Sequence, residues 1–141
     1  MAPKDTKLDD LGRLWLFSSL SKKELATIAR RADEVRVPAG KVLTAEGKPG
    51  HEFFLIVAGQ AAVERGGRTI ATLTPGQYFG ELSLLDRGPR SATVVASTEM
   101  DLLVLGQREF SGLLDEVPGL AHKLLAAMAA KLRESWAASF G

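Results

Sequence analysis

Three textures follow one another along the chain. Between Leu8 and Arg31 the apolar residues Leu8, Leu11 and Trp15, then Leu25, Ile28 and Ala29, recur at helical spacing, with a break near Phe17-Ser18-Ser19-Leu20. Ser21 with Glu24 three residues later is a capping box, in which hydroxyl and carboxylate satisfy the free N–H groups at a helix start. This pattern predicts two N-terminal helices with a turn between them over 8–31.

From Val35 to Leu105 the helical period is lost. Short β-branched and aromatic runs take over: 35–37, 42–43, 53–57, 61–63, 69–73, 93–96 and 102–105. Between them stand Pro38-Ala39-Gly40, Gly47-Lys48-Pro49-Gly50, Gly66-Gly67, Pro75-Gly76 and Gly88-Pro89, all turn chemistry. Many short strands at close spacing predict an antiparallel barrel or jelly roll over 35–105. Arg65-Gly66-Gly67-Arg68 reads as a tight hairpin.

From Gln107 the helical period returns through Phe110, Leu113 and Leu114, stops near Pro118-Gly119, and resumes with Leu120, Leu124, Met128, Leu132 and Trp136. At about 100° per residue, Trp136 lies roughly 160° round this helix from Leu120. The apolar arc, widened by Leu125, is broader than one packing face needs, so a second contact is expected for it. The C-terminal helices span 107–138.

Composition narrows the function classes. A chain of 141 residues with 45% apolar content fits one domain, 1–141. A net charge of +1 provides no long-range field for nucleic acid or an anionic membrane, so any anion must be captured locally. No cysteine is present and the two histidines, His51 and His122, are far apart, which leaves no usual zinc set. His51 reads as a turn residue and His122 as a helix surface residue. The N-terminus lacks an apolar leader and the longest strongly apolar run, 53–58, is too short to cross a bilayer, so a cytoplasmic location is expected. No helix-turn-helix is expected after the last helix.

The chemistry concentrates in Pro75 to Val94, which interrupts the strand pattern with a connection longer than barrels usually use. Residues 81–85 fit one helical turn whose first N–H groups lack intrahelical acceptors, a terminus suited to an anion. Gly80 allows close backbone approach. Arg90, at the start of the next strand, can fork onto two phosphate oxygens. An ionised Glu81 can only accept hydrogen bonds, which suits a sugar hydroxyl beside that phosphate. Together Glu81 and Arg90 read one ribose hydroxyl and one singly charged cyclic phosphate, which disfavours deoxy analogues and open-chain polyphosphates.

This segment resembles the phosphate-binding cassette of the cyclic-nucleotide-binding domain family, through Phe79-Gly80-Glu81-Leu82-Ser83-Leu84-Leu85 and Pro89-Arg90-Ser91-Ala92-Thr93-Val94. The resemblance extends to Gly47-Lys48-Pro49-Gly50 with Phe53 to Val57 and Gly59, and to Val37-Pro38-Ala39-Gly40. It implies an eight-stranded jelly roll with helices at both ends and a short cassette helix. It implies that Glu81 and the Gly80 backbone hold the ribose 2′-hydroxyl, and that Arg90 pairs with the phosphate. The Leu82 and Ser83 amides and the Ser91 amide or hydroxyl complete the cradle, with Phe79 and Ala92 beside it. His51 stands where the family commonly has an acid, and Ser83 where alanine is frequent, so Ser83 is expected to act through its backbone. The family's readout is movement of the C-terminal helices, with Trp136 and Arg133 as candidate base lid.

The expected function is a cyclic-nucleotide sensor, taking cAMP ahead of cGMP, without cofactor, metal or catalysis. Its partners are a homodimer through the last helix or an effector protein, and neither nucleic acid nor membrane. A dimerising scaffold that has lost the ligand is the alternative. A cupin-like metalloenzyme lacks ligands, and no nucleophile elbow or P-loop is present.

Overall fold

The computed structural model of the protein describes residues 11–140. Leu8, placed in the first predicted helix, lies outside them. Two compact units are distinguished among the described residues, Ala29–Phe110 and a helical unit made of residues 11–28 and 111–140.

The first unit is mainly β. Eight strands form two antiparallel four-stranded sheets, ordered β1-β8-β3-β6 and β2-β7-β4-β5. They are β1 (Asp33–Val37), β2 (Val42–Thr44), β3 (Glu52–Ala58), β4 (Ala61–Arg65), β5 (Arg68–Leu73), β6 (Tyr78–Phe79), β7 (Thr93–Ala96) and β8 (Met100–Gly106). Phe54 and Ile56 of β3, Leu102 and Val104 of β8, and Val94 and Ala96 of β7 face one another in the core between the sheets. The alternate residues Phe53 and Leu55 are buried as well, on the opposite face of their strand. There Phe53 stacks on Phe110 with ring centroids 4.9 Å apart. Burial on both faces is why this run reads as continuously apolar.

Seven of the strands coincide with the apolar runs, β7 without change and the others lengthened by one to three residues. The eighth, β6, falls inside the segment that the sequence pattern treats as a connection. Its two residues pair with Phe54 and Leu55, and two residues are too few to show alternation. The predicted hairpin forms between β4 and β5, where Gly66 and Gly67 have φ of 59° and 78°. Two successive positive φ values match the right-handed twist of the flanking strands and favour glycine at both positions.

In the helical unit, a 3-10 turn (Trp15–Phe17) stands where a regular helix was expected to end, because Leu14 is extended, with φ −76° and ψ 136°. Helix α1 (Lys22–Arg31) opens on the predicted capping box. The Ser21 N–H donates to Glu24 Oε1 at 2.9 Å, and the Glu24 N–H donates to Ser21 Oγ at 3.1 Å. A short helix α2 (Glu81–Asp86) belongs to the β unit, while α3 (Gln107–Glu116) and α4 (Pro118–Phe140) follow the last strand. Lys123 of α4 donates to Ser18 Oγ at 2.6 Å and sits 4.8 Å above the Trp15 ring. Leu16, Phe17, Leu120 and Leu124 are buried, whereas Leu125, Leu132 and Trp136 of α4 are 66%, 60% and 62% exposed. No helix among the described residues is long and apolar enough to cross a membrane.

Candidate functional site

The connection from β6 to β7 carries the two charged groups singled out in the sequence, and both are buried, Glu81 at 8% exposure and Arg90 at 6%. Burying a charge is costly unless the surroundings compensate it. For Arg90 the local fold supplies that compensation. Gly80 turns the chain with φ 97°, a conformation that side chains resist, and Glu81 then opens α2. Arg87 ends the helix in the left-handed region at φ 59°, and Asp86 Oδ1 accepts from the Gly88 N–H at 2.7 Å. The chain thereby returns toward β7 through Pro89.

Arg90 lies three residues before β7 and not at its start. Its backbone is tied to the turn between β2 and β3: the Arg90 N–H donates to Lys48 O at 2.8 Å and its carbonyl accepts from Gly47 at 2.9 Å. Its guanidinium is then held from three directions. Nη1 donates to Gly80 O at 3.0 Å and to Ser83 Oγ at 3.1 Å, and Nη2 donates to Glu52 O at 2.8 Å. The Phe54 ring lies 6.0 Å from Cζ. Of the five N–H donors of a guanidinium these bonds engage three, so among the described residues two remain for a further acceptor. Such a pair suits two oxygens of one phosphate.

Electrostatics point the same way. Desolvation pushes the Arg90 pKa down, opposed by the charges of Glu52 and Glu81, and the group stays cationic. A buried cation with part of its donor set uncommitted gains from any anion that reaches it. Glu81 lies close enough to act on both Arg90 and Tyr78, and its Oε2 is buried and accepts no hydrogen bond from the described residues. Burial, and secondarily the Glu81 charge, push the Tyr78 phenol above 10.0.

The structure thus brings Gly80, Glu81 and Ser83 to Arg90, while Phe79, next to Gly80, and Ala92 are buried. Leu82 and Ser91 are exposed at its edge, and Ser91 O accepts from Arg65 Nε at 3.1 Å. Arg133 and Trp136 are exposed on α4, in the helical unit. The Ser83 hydroxyl bonds Arg90 directly, where only its backbone was expected to matter. Tyr78, Gly50 and the Glu52 carbonyl were not anticipated; only the glycine-marked turn at 47–50 hinted at a close approach. A cavity of about 400 Å³ adjoins the cradle at Gly50 and Ser83, and neither Glu81 nor Arg90 lines it. His51 is exposed, with Nδ1 3.4 Å from Gln107 Oε1. No cluster of metal-binding side chains occurs among the described residues.

The cassette, the two-sheet jelly roll and the buried Glu81–Arg90 pair define a nucleotide-binding class of barrel, and comparison with known proteins gives the family. The model of the cyclic nucleotide-binding domain matches residues 34–117, and the chain belongs to that family. Among curated relatives, the cyclic AMP receptor protein of Thermus thermophilus is 37% identical over 125 residues, covering 85% of this chain and 58% of the relative. The cAMP-dependent protein kinase regulatory subunit of Aspergillus niger is 39% identical over 110 residues, covering 77% of this chain and 27% of the relative. The crystal structure of the Thermus thermophilus catabolite activator protein superposes with a TM-score of 0.78 at 36% identity, over 85% of this chain and 59% of that one. The chain therefore spans only about a quarter to just under three fifths of the length of these relatives.

Proposed function

We propose that this chain is a binding module for a 3′,5′-cyclic nucleotide, cAMP ahead of cGMP, and catalyses no reaction. The observation that carries this reading is the buried Arg90 guanidinium, fixed by Gly80, Ser83 and Glu52 with two donors uncommitted, beside the buried Glu81 carboxylate. Arg90 takes the phosphate, Glu81 accepts from the ribose 2′-hydroxyl, and the Leu82 and Ser83 amides with the Ser91 amide or hydroxyl complete the cradle. Arg90 supplies charge without protonating anything, since guanidinium does not titrate near neutrality. That relatives are named for cyclic AMP or for cAMP-dependent kinase supports cAMP as first ligand.

Readout through the C-terminal helices belongs to the same proposal, with Arg133 and Trp136 as the lid over the base. The exposed Leu125, Leu132 and Trp136 supply the apolar surface with which α4 meets a second copy or an effector. Calorimetric titration with cAMP, cGMP and 5′-AMP tests ligand class and base preference together. Binding of both cyclic nucleotides with neglect of 5′-AMP is expected. Equal binding of 5′-AMP would refute the recognition of a ring-closed phosphate.

A further inference from the structure

Gly50 sits in the turn between β2 and β3, and its backbone lies outside the left-handed region, so nothing in its own conformation demands glycine. Its neighbour Gly47 differs, with φ 80° and open space where a Cβ would point. At Gly50 the constraint comes from outside the turn. The three nearest atoms that a Cβ would meet all belong to Arg90: Cδ at 2.6 Å, with Cζ and Nε closer still. Such approaches are not tolerated, and the guanidinium would have to move.

It has little room to do so. Its far end is held by Gly80 O, Ser83 Oγ and Glu52 O. On that side a Cβ at Gly80 would itself come within 2.9 Å of Nη1 and 2.6 Å of Glu52 O. The backbone of Arg90 is tied to Gly47 and Lys48, three and two residues before Gly50. One short turn therefore fixes the start of the arginine, presses on its middle and, through Glu52 O, holds its tip.

We propose that Gly50 is a positioning residue for the anion cradle: its missing side chain is the slot in which the Arg90 guanidinium is pinned, with two donors left over for a ligand. For the affinity arm alone, this rests on the reading of the site as a cyclic-nucleotide cradle. Substitution Gly50→Ala pushes against the middle of a side chain and not against backbone, so the barrel folds and Arg90 is displaced from its hydrogen bonds.

Three measurements test this. In ligand-free protein, the Nε–H resonance of Arg90, assigned by its loss in Arg90→Ala, shifts or broadens in Gly50→Ala. In urea unfolding, Gly50→Ala lowers the midpoint in the wild-type background and leaves it unchanged in Arg90→Ala, because the clash has been removed. In calorimetry with cAMP, Gly50→Ala binds roughly tenfold more weakly or worse, a loss smaller than that expected for removing the arginine. An unmoved Arg90 resonance, an equal midpoint drop in both backgrounds, or a shifted arginine with unaltered cAMP affinity would each overturn the proposal. A wild-type protein that binds no cyclic nucleotide would sink the proposed function instead, and the first two measurements would still decide the role of Gly50.

Discussion

At the scale of single residues, the site is a buried cation whose polar environment is mostly backbone carbonyl. That makes the one side-chain acceptor, Ser83 Oγ, informative. Ser83→Ala leaves a buried, charged N–H without its acceptor, which should destabilise the ligand-free protein by about 1–3 kcal/mol. Urea unfolding measures this, and an unchanged midpoint would show that the 3.1 Å bond contributes nothing. Tyr78 gives a pH test. Its phenol titrates above 10.0 in the folded chain because burial, and then Glu81, oppose ionisation. The sign follows: stability is complete below the unfolded value and falls as pH rises through the folded one, because the unfolded chain releases its proton first. Tyr78→Phe should therefore lessen the loss of stability above pH 10, in thermal melts at about pH 9 to 11. A parallel loss in both proteins would contradict it. Glu81 and Arg90 were legible in the sequence because glycine, acid and arginine stand at telling spacing within a turn-rich connection. The Glu52 carbonyl and the Gly50 contact were not, since a backbone oxygen leaves no mark on residue type and a missing Cβ explains itself only when its neighbour is seen.

At the scale of elements, periodicity did most of the work where elements are long. The runs of β3 and β8 are buried on both faces and stand out as continuous apolar stretches, and α3 and α4 are separated at Val117, with Pro118 in the first position of α4. Two places escaped. Strand β6 is made by pairing with β3, a long-range contact that a two-residue segment cannot announce. The 3-10 turn at 15–17 replaced a regular helix end because Leu14 is extended, which its residue type does not dictate. The capping box, a purely local signal, was read correctly and can be weighed: Ser21→Ala removes the acceptor for the Glu24 N–H and should cost about 0.5–2 kcal/mol. Chemical denaturation measures it, and a cost within error would mean that α1 is held without its cap.

At the scale of the whole molecule, the chain is a two-sheet jelly roll with a helical unit, and its family follows from the sequence match. A ligand that binds only the folded state stabilises it by mass action, by about 2.7 kcal/mol at a hundred times its dissociation constant. cAMP at that excess should raise the melting temperature, and 5′-AMP should not. The most direct test is calorimetric titration of cAMP into the wild-type protein and into Arg90→Ala. Removing a buried, hydrogen-bonded partner of the phosphate should cost about 2–5 kcal/mol, a loss of affinity of roughly 30-fold to a few thousand-fold. Equal affinity in the two proteins would contradict the account, because the guanidinium pinned among Gly50, Gly80, Ser83 and Glu52 would then not be what holds the ligand.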